Sequence, residues 1–115
     1  MPLYSISHAT SLSDEQQDQL AEGITKIHTN LFAAPRLFVN VHFSPASDYK
    51  GYVGGKRKQA NIIRGRVRHG PSRTPVMYEE LMNSINKLWG EVVSACLLPI
   101  ILQHVMYQIL RYRIG

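Results

Sequence analysis

Leu20, Ile24, Ile27 and Leu31 recur at spacings of four, three and four, which lays one apolar face along an α-helix. Ser13 stands ahead of this stripe as an N-cap, with acidic residues in the first turn, and Pro35 marks its end. A second stripe, Met77, Leu81, Ile85, Leu88 and Val92, predicts a second helix, with Thr74 as N-cap and Pro75 as its first residue. The remaining apolar segments are short. Residues 2–8 read as a strand, and Pro2 is tolerated at its first position because no ladder donor is lost there. Residues 37–43 alternate and are rich in β-formers, so they predict another strand. Tyr52-Val53 is a short strand candidate before a Gly54-Gly55 turn, and residues 62–68 read as a further strand closed by a turn at Gly70-Pro71-Ser72.

Overlaying the chain on itself with a shift of 61 residues aligns these elements. His8 falls on His69, Ser11 on Ser72, Leu20 on Leu81, Ile24 on Ile85 and Lys26 on Lys87. Similar residues also meet: Ile6 with Val67, Ser13 with Thr74, Asp18 with Glu79 and Ile27 with Leu88. Both halves read strand, turn, capped helix with the core positions in register, the mark of an internal duplication. Each half is expected to continue into a further strand, giving two βαβ units with right-handed crossovers. The predicted fold class is therefore α/β (α+β): a four-stranded main sheet with two helices on one face. The first unit covers about 2–44 and the second starts at about 61, within a domain over 1–93 that is followed by a divergent tail, 94–115.

Composition narrows the setting. At 115 residues the chain is one domain, near the size where oligomerisation helps to bury a core. An apolar content of 44% against 18% charged fits a globular chain rather than a disordered one. No basic segment followed by an apolar run opens the sequence, and the apolar stretch 97–110 is too short for a bilayer and interrupted by Gln103, His104 and Gln108. Cys96 is the only cysteine, which excludes an internal disulfide and fits a cytoplasmic protein. No Cys/His pattern has zinc spacing. The net charge of +5 is uneven, since Lys56, Arg57, Lys58, Arg64, Arg66, Arg68 and Arg73 account for seven of the thirteen cations. Such a cluster attracts anions, whether nucleic acid, a membrane surface or a small carboxylate, or else discourages edge-to-edge strand pairing.

The candidate chemistry begins at Pro2. Initiator methionine is usually removed before so small a residue, which leaves a free secondary amine. That amine is a nucleophile and proton acceptor, and packing it among apolar residues lowers its pKa. Many proteins begin Met-Pro without catalytic consequence, so Pro2 gains meaning only from its company. His28 lies about 70° from the centre of the first helical stripe, on the flank of the buried face, where a histidine bonds a backbone carbonyl or lines a rim. Arg64, Arg66 and Arg68 alternate along one strand and so point the same way, as a solvated row or as one wall of an anion site. A guanidinium suits bidentate capture of a carboxylate.

A twofold βαβ repeat that starts on proline resembles the tautomerase superfamily, most of all its cis-3-chloroacrylic acid dehalogenase-like branch, in which two βαβ units share one chain. The residues that carry the likeness are Met1-Pro2-Leu3-Tyr4, Gly23-Ile24-Thr25-Lys26-Ile27-His28, and Val67-Arg68-His69-Gly70 with Arg73, over about residues 1–93. The resemblance implies that Pro2 is the catalytic acid or base and that His28 and Arg68 hold the substrate carboxylate. The family's second arginine follows its first by three residues; here Arg73 follows Arg68 by five, with Pro71-Ser72 between. The resemblance also implies a homotrimer, and nothing in the sequence implies a metal or organic cofactor.

The chemistry expected of these parts is proton transfer beside a carbonyl. Neutral Pro2 takes a proton from a small 2-oxo/2-hydroxy-alkenoate, while the cations hold its carboxylate and stabilise charge on oxygen. Dehalogenation or hydration of an unsaturated acid is the alternative, and it needs a protonated Pro2 and a group that activates water. Related dehalogenases supply a tyrosine and a glutamate near the C-terminus. Here no acidic residue follows Glu91, and neither Tyr107 nor Tyr112 aligns, which favours tautomerisation. Residues 94–115 do not resemble the family's last strand; they read as a variant strand, a short helix or the product of a shifted frame or retained intron, which would leave an inactive relative. A nucleic-acid-binding module built on the 56–73 cluster is the competing class, and Tyr52 is the one nearby residue placed to stack on bases.

Overall fold

The computed structural model describes residues 2–48, 50–68, 70–93 and, as backbone, 105–112. Met1, His69 and Cys96, which enter the sequence reading, lie outside the described residues. Strand β1 (Leu3–His8) is followed by helix α1 (Asp14–Phe32) and strand β2 (Asn40–Pro45). A small hairpin of β3 (Tyr52–Val53) and β4 (Lys56–Arg57) comes next, then β5 (Asn61–Arg68), helix α2 (Pro75–Val93) and β6 (Val105–Tyr112). The main sheet has the order β2-β1-β5-β6. β1 is parallel to β2 and antiparallel to β5, and β5 is parallel to β6. Two βαβ units thus lie side by side, joined through an antiparallel central pair.

The helix bounds repeat at the 61-residue shift, as the overlay predicts. Ser13 caps α1 with a reciprocal pair of bonds: its hydroxyl accepts from the Gln16 amide, and the Gln16 side chain accepts from the Ser13 amide. Thr74 performs the cap of α2 with a bond from the Met77 amide, 3.3 Å. Tyr4 and Ile6 on β1 and Ile63 and Val67 on β5 face the helices, and with Leu20, Ile24, Leu81 and Ile85 they form one buried core. The helices approach closely at Gly23, where an added Cβ would lie 2.6 Å from a methyl of Leu88. A larger residue there would drive Leu88 out of its place.

Two local departures from the sequence reading have clear causes. Residues 37 and 38 are not yet in the strand, because Arg36–Phe38 close a 3-10 turn in which Phe38 and Val39 donate to the carbonyls of Pro35 and Arg36. Leu37, 79% exposed, therefore faces away from the core. Helix α1 stops before Pro35, at Ala33, whose φ of 53° is left-handed and breaks the helical path. The tail contains a strand, one of the alternatives read for it: β6 pairs with β5 from Asn61↔Val105 to Arg68↔Tyr112. Gly54 and Gly55 form the hairpin turn with φ of 59° and 79°, as a two-residue turn of this hand requires.

Candidate functional site

Alternation along β1 settles which side chains can meet. Tyr4, Ile6 and His8 point to the helices, so Pro2, two residues before Tyr4, belongs to that same face, about 7 Å further along the strand. The carbonyl of Pro2 accepts from the Asn40 amide at 3.0 Å, which ties the start of β1 to β2. Tyr4 is fully buried and reaches across to α1. Its hydroxyl lies 2.7 Å from His28 Nδ1, and the two rings meet edge to face at 5.7 Å.

His28 itself is 1% exposed and sits on the buried face of α1 with Leu20 and Ile24. Its expected place on the flank is therefore corrected. The face that meets the sheet is centred on positions 20, 24 and 28, while Ile27 and Leu31 turn to a groove between the helices. That groove, a cavity of about 260 Å³ also lined by Asn30, Glu80 and Ser84, shares no residue with the Tyr4–His28 pair. The partner of His28 is a side-chain hydroxyl and not a backbone carbonyl.

Phe32 stacks at 4.9 Å from the His28 ring and 5.9 Å from that of Tyr78, and the Arg73 guanidinium lies 4.3 Å over the Phe32 ring. Arg73 is fixed by a 2.6 Å bond from Nη1 to the carbonyl of Arg68, which also accepts from the Tyr78 hydroxyl at 3.3 Å. The structure thus brings Tyr4, His28, Phe32, Arg73 and Tyr78 together on the helix side of the sheet. Arg68 contributes its carbonyl to this cluster, but its side chain is exposed and alternates with Arg64 and Arg66 onto the opposite face. The basic cluster of the sequence is divided in space. Lys56 and Arg57 lie on the small hairpin, Arg64, Arg66 and Arg68 on the helix-free face, and Arg73 inside the aromatic cluster.

Burial, and after it the Arg73 charge, pull the His28 pKa from 6.5 down to about 4, so the imidazole is neutral in the folded protein at neutral pH. Burial holds the Tyr4 phenol protonated, well above its ordinary range, with Arg73 opposing. An unfolded His28 takes up a proton as pH falls through 6.5, while the folded one resists until about 4. Stability is therefore complete above pH 6.5 and declines between 6.5 and about 4, by on the order of 3 kcal/mol from this residue. Urea unfolding at pH 7 and pH 4.5 measures it, and His28→Gln is expected to flatten that slope.

Tyr4 was not singled out by sequence reasoning, although its inward position in an alternating strand next to Pro2 was the available signal. At the 61-residue shift, Tyr4 corresponds to Gly65 and His28 to Trp89, so the second unit carries a buried glycine and a buried tryptophan where the first has two polar residues. Among the described residues no group of three or more His, Cys, Asp and Glu is placed to hold a metal ion, and no helix is long and apolar enough to cross a membrane.

The sequence matches, over residues 1–107, a family profile described as "Putative oxalocrotonate tautomerase enzyme". No curated protein matches the sequence. Solved structures match throughout. Native Ps01740 is 25% identical with a TM-score of 0.72, over 95% of this chain and 94% of that one. N1, a member of the cis-3-chloroacrylic acid dehalogenase family, is 23% identical with a TM-score of 0.77, over 96% of this chain and 74% of its own. A fused 4-OT solved as an asymmetric trimer is 19% identical with a TM-score of 0.69, over 98% and 92%.

Proposed function

Since this chain belongs to the oxalocrotonate tautomerase family of the tautomerase superfamily, whose members are isomerases or related enzymes, we propose that it is a tautomerase acting on a small 2-oxo/2-hydroxy-alkenoate carboxylic acid. The observation that carries this reading is the placement of a neutral histidine and an arginine beside the inward face of β1, the strand that follows Pro2 directly. After removal of Met1, the Pro2 amine takes the proton of the enol hydroxyl, the C=O forms, and the same proton is returned to C3. Arg73 and His28 bind the carboxylate and stabilise charge that develops on oxygen. Arg68, the last residue of β5, is the second cation that the family likeness suggests, and its side chain leaves the strand on the opposite face. A nearby cation also disfavours protonated Pro2 and keeps the base available. The reaction requires no metal or organic cofactor. We further propose a homotrimer in the cytoplasm, the assembly seen in the fused 4-OT relative.

The test is ketonisation of enol-phenylpyruvate by the purified protein, with Met1 removal checked by intact mass. Turnover above the buffer rate is the expected result. A folded, methionine-free protein without turnover would overturn the reading; chloride release from cis-3-chloroacrylate would then point to the dehalogenase alternative. RNA binding that weakens steeply with salt would instead favour the exposed hairpin cations and Tyr52 as the working surface.

A further inference from the structure

We propose that Tyr4 is the positioning residue of this site: its hydroxyl donates to His28 Nδ1, which fixes the tautomer that keeps the proton on Nε2 and presents that N–H to the substrate carboxylate. The inference rests on the reading above and deepens it. Two arrangements fit an oxygen and a nitrogen 2.7 Å apart. If the phenol donates, Nδ1 accepts and the ring proton sits on Nε2; if Nδ1 donates instead, the phenol oxygen accepts and Nε2 carries a lone pair. Each arrangement leaves one donor and one acceptor unpaired, so the count is even. A phenol is a stronger donor than an imidazole N–H, and an imidazole nitrogen a stronger acceptor than a phenol oxygen, so the first arrangement prevails.

Nε2 is buried and has no hydrogen-bond partner among the described residues. A neutral donor held in an apolar wall, with a guanidinium close by, recognises a planar anion that accepts hydrogen bonds and carries one charge. A carboxylate has that chemistry. Phe32 packs against the His28 ring at an interplanar angle of 59°, and the Arg73 guanidinium lies over Phe32. Arg73 is only half-buried, so a ligand entering along it meets the guanidinium first and the imidazole N–H behind it. The charged and titratable groups that face His28 among the described residues are Tyr4 from β1, Arg73 from the turn before α2, and Tyr78 from α2 through Phe32. No carboxylate is among them. His28 therefore keeps this single tautomer through neutral pH, whether or not substrate is bound.

The experiment is nitrogen NMR of the histidine rings in full-length protein, wild type and Tyr4→Phe, at pH 7 with pyruvate added as the probe. For wild-type His28 the expected result is an unprotonated Nδ1, a protonated Nε2, and a shift of the Nε2 signal as pyruvate binds. Tyr4→Phe is expected to mix the two tautomers and to weaken pyruvate binding by about two- to fivefold, the reciprocal of the fraction that keeps its proton on Nε2. A wild-type His28 protonated on Nδ1 overturns the proposal even if Tyr4→Phe does not fold. A folded Tyr4→Phe protein with unchanged tautomer or unchanged pyruvate affinity overturns it as well, as does a wild-type Nε2 that ignores pyruvate. Enol turnover is a separate readout: its absence beside the expected tautomer and pyruvate response would count against the reaction and not against the role of Tyr4.

Discussion

Replacing Pro2 by alanine is expected to lower kcat/KM for enol-phenylpyruvate by about a thousandfold, within the range that a positioned acid–base group contributes. The variant still ends in an amine once Met1 is removed, so the loss reports what the ring provides. Proline holds its nitrogen in a five-membered ring that is itself fixed by the strand, whereas an alanine ammonium rotates freely and is a primary amine. The fold should survive, because the bond from the Asn40 amide that ties this position to β2 uses the Pro2 carbonyl, which alanine keeps. A protein that retains Met1 makes the sharper control. Its Pro2 nitrogen is an amide without basicity, and turnover should vanish although every side chain is present. Unchanged kcat/KM in Pro2→Ala, with intact mass confirming the free terminus, would remove Pro2 from the chemistry.

Much of the scaffold behind that expectation is legible in the sequence, and the physical reason is the duplication. Helix α1 repeats as α2 at one shift, with equivalent caps at Ser13 and Thr74 and equivalent core residues at Leu20/Leu81 and Ile24/Ile85. The last strand was not legible, because the duplication loses register there. Leu3 pairs with Asn40, whereas Arg64, its counterpart, pairs with Gln108, so the second unit's outer strand comes 68 residues after the first unit's and not 61. An overlay at one fixed shift therefore finds no match in 94–115.

The site was legible as residue types and less so as geometry. Periodicity averaged Ile27 and Leu31 into the face of α1 that meets the sheet and so displaced His28 to its flank. In three dimensions those two residues turn toward the interhelical groove and leave the centre to His28. Alternation gave the direction of Arg68 correctly, along with Arg64 and Arg66, and that direction separates its side chain from the cluster that Arg73 enters. The two-residue lengthening between Arg68 and Arg73 has a structural consequence. It forms a turn, closed by a bond from the Arg73 amide to the Gly70 carbonyl, that folds Arg73 back over Phe32 and onto the Arg68 carbonyl.

Arg73 is accordingly the second position where a large effect is expected. Arg73→Ala should lower kcat/KM by about a hundredfold, through the loss of a charge-assisted bond to the substrate carboxylate. Most of that loss should fall on KM if the guanidinium binds ground state and transition state alike, and on kcat if it stabilises the developing enolate charge. Arg73→Lys separates charge from shape. It keeps a cation near the site but loses the planar stack on Phe32 and the fork that reaches both the Arg68 carbonyl and a ligand, so it should recover only part of the activity. A second readout locates the residue independently of turnover. The Arg73 charge is one of the two causes that depress the His28 pKa, so the imidazole of Arg73→Ala should titrate at higher pH than in the wild type, while Arg73→Lys stays close to it. An unmoved His28 titration in Arg73→Ala would mean that the cation does not act on the imidazole, and the carboxylate site would have to be built without it.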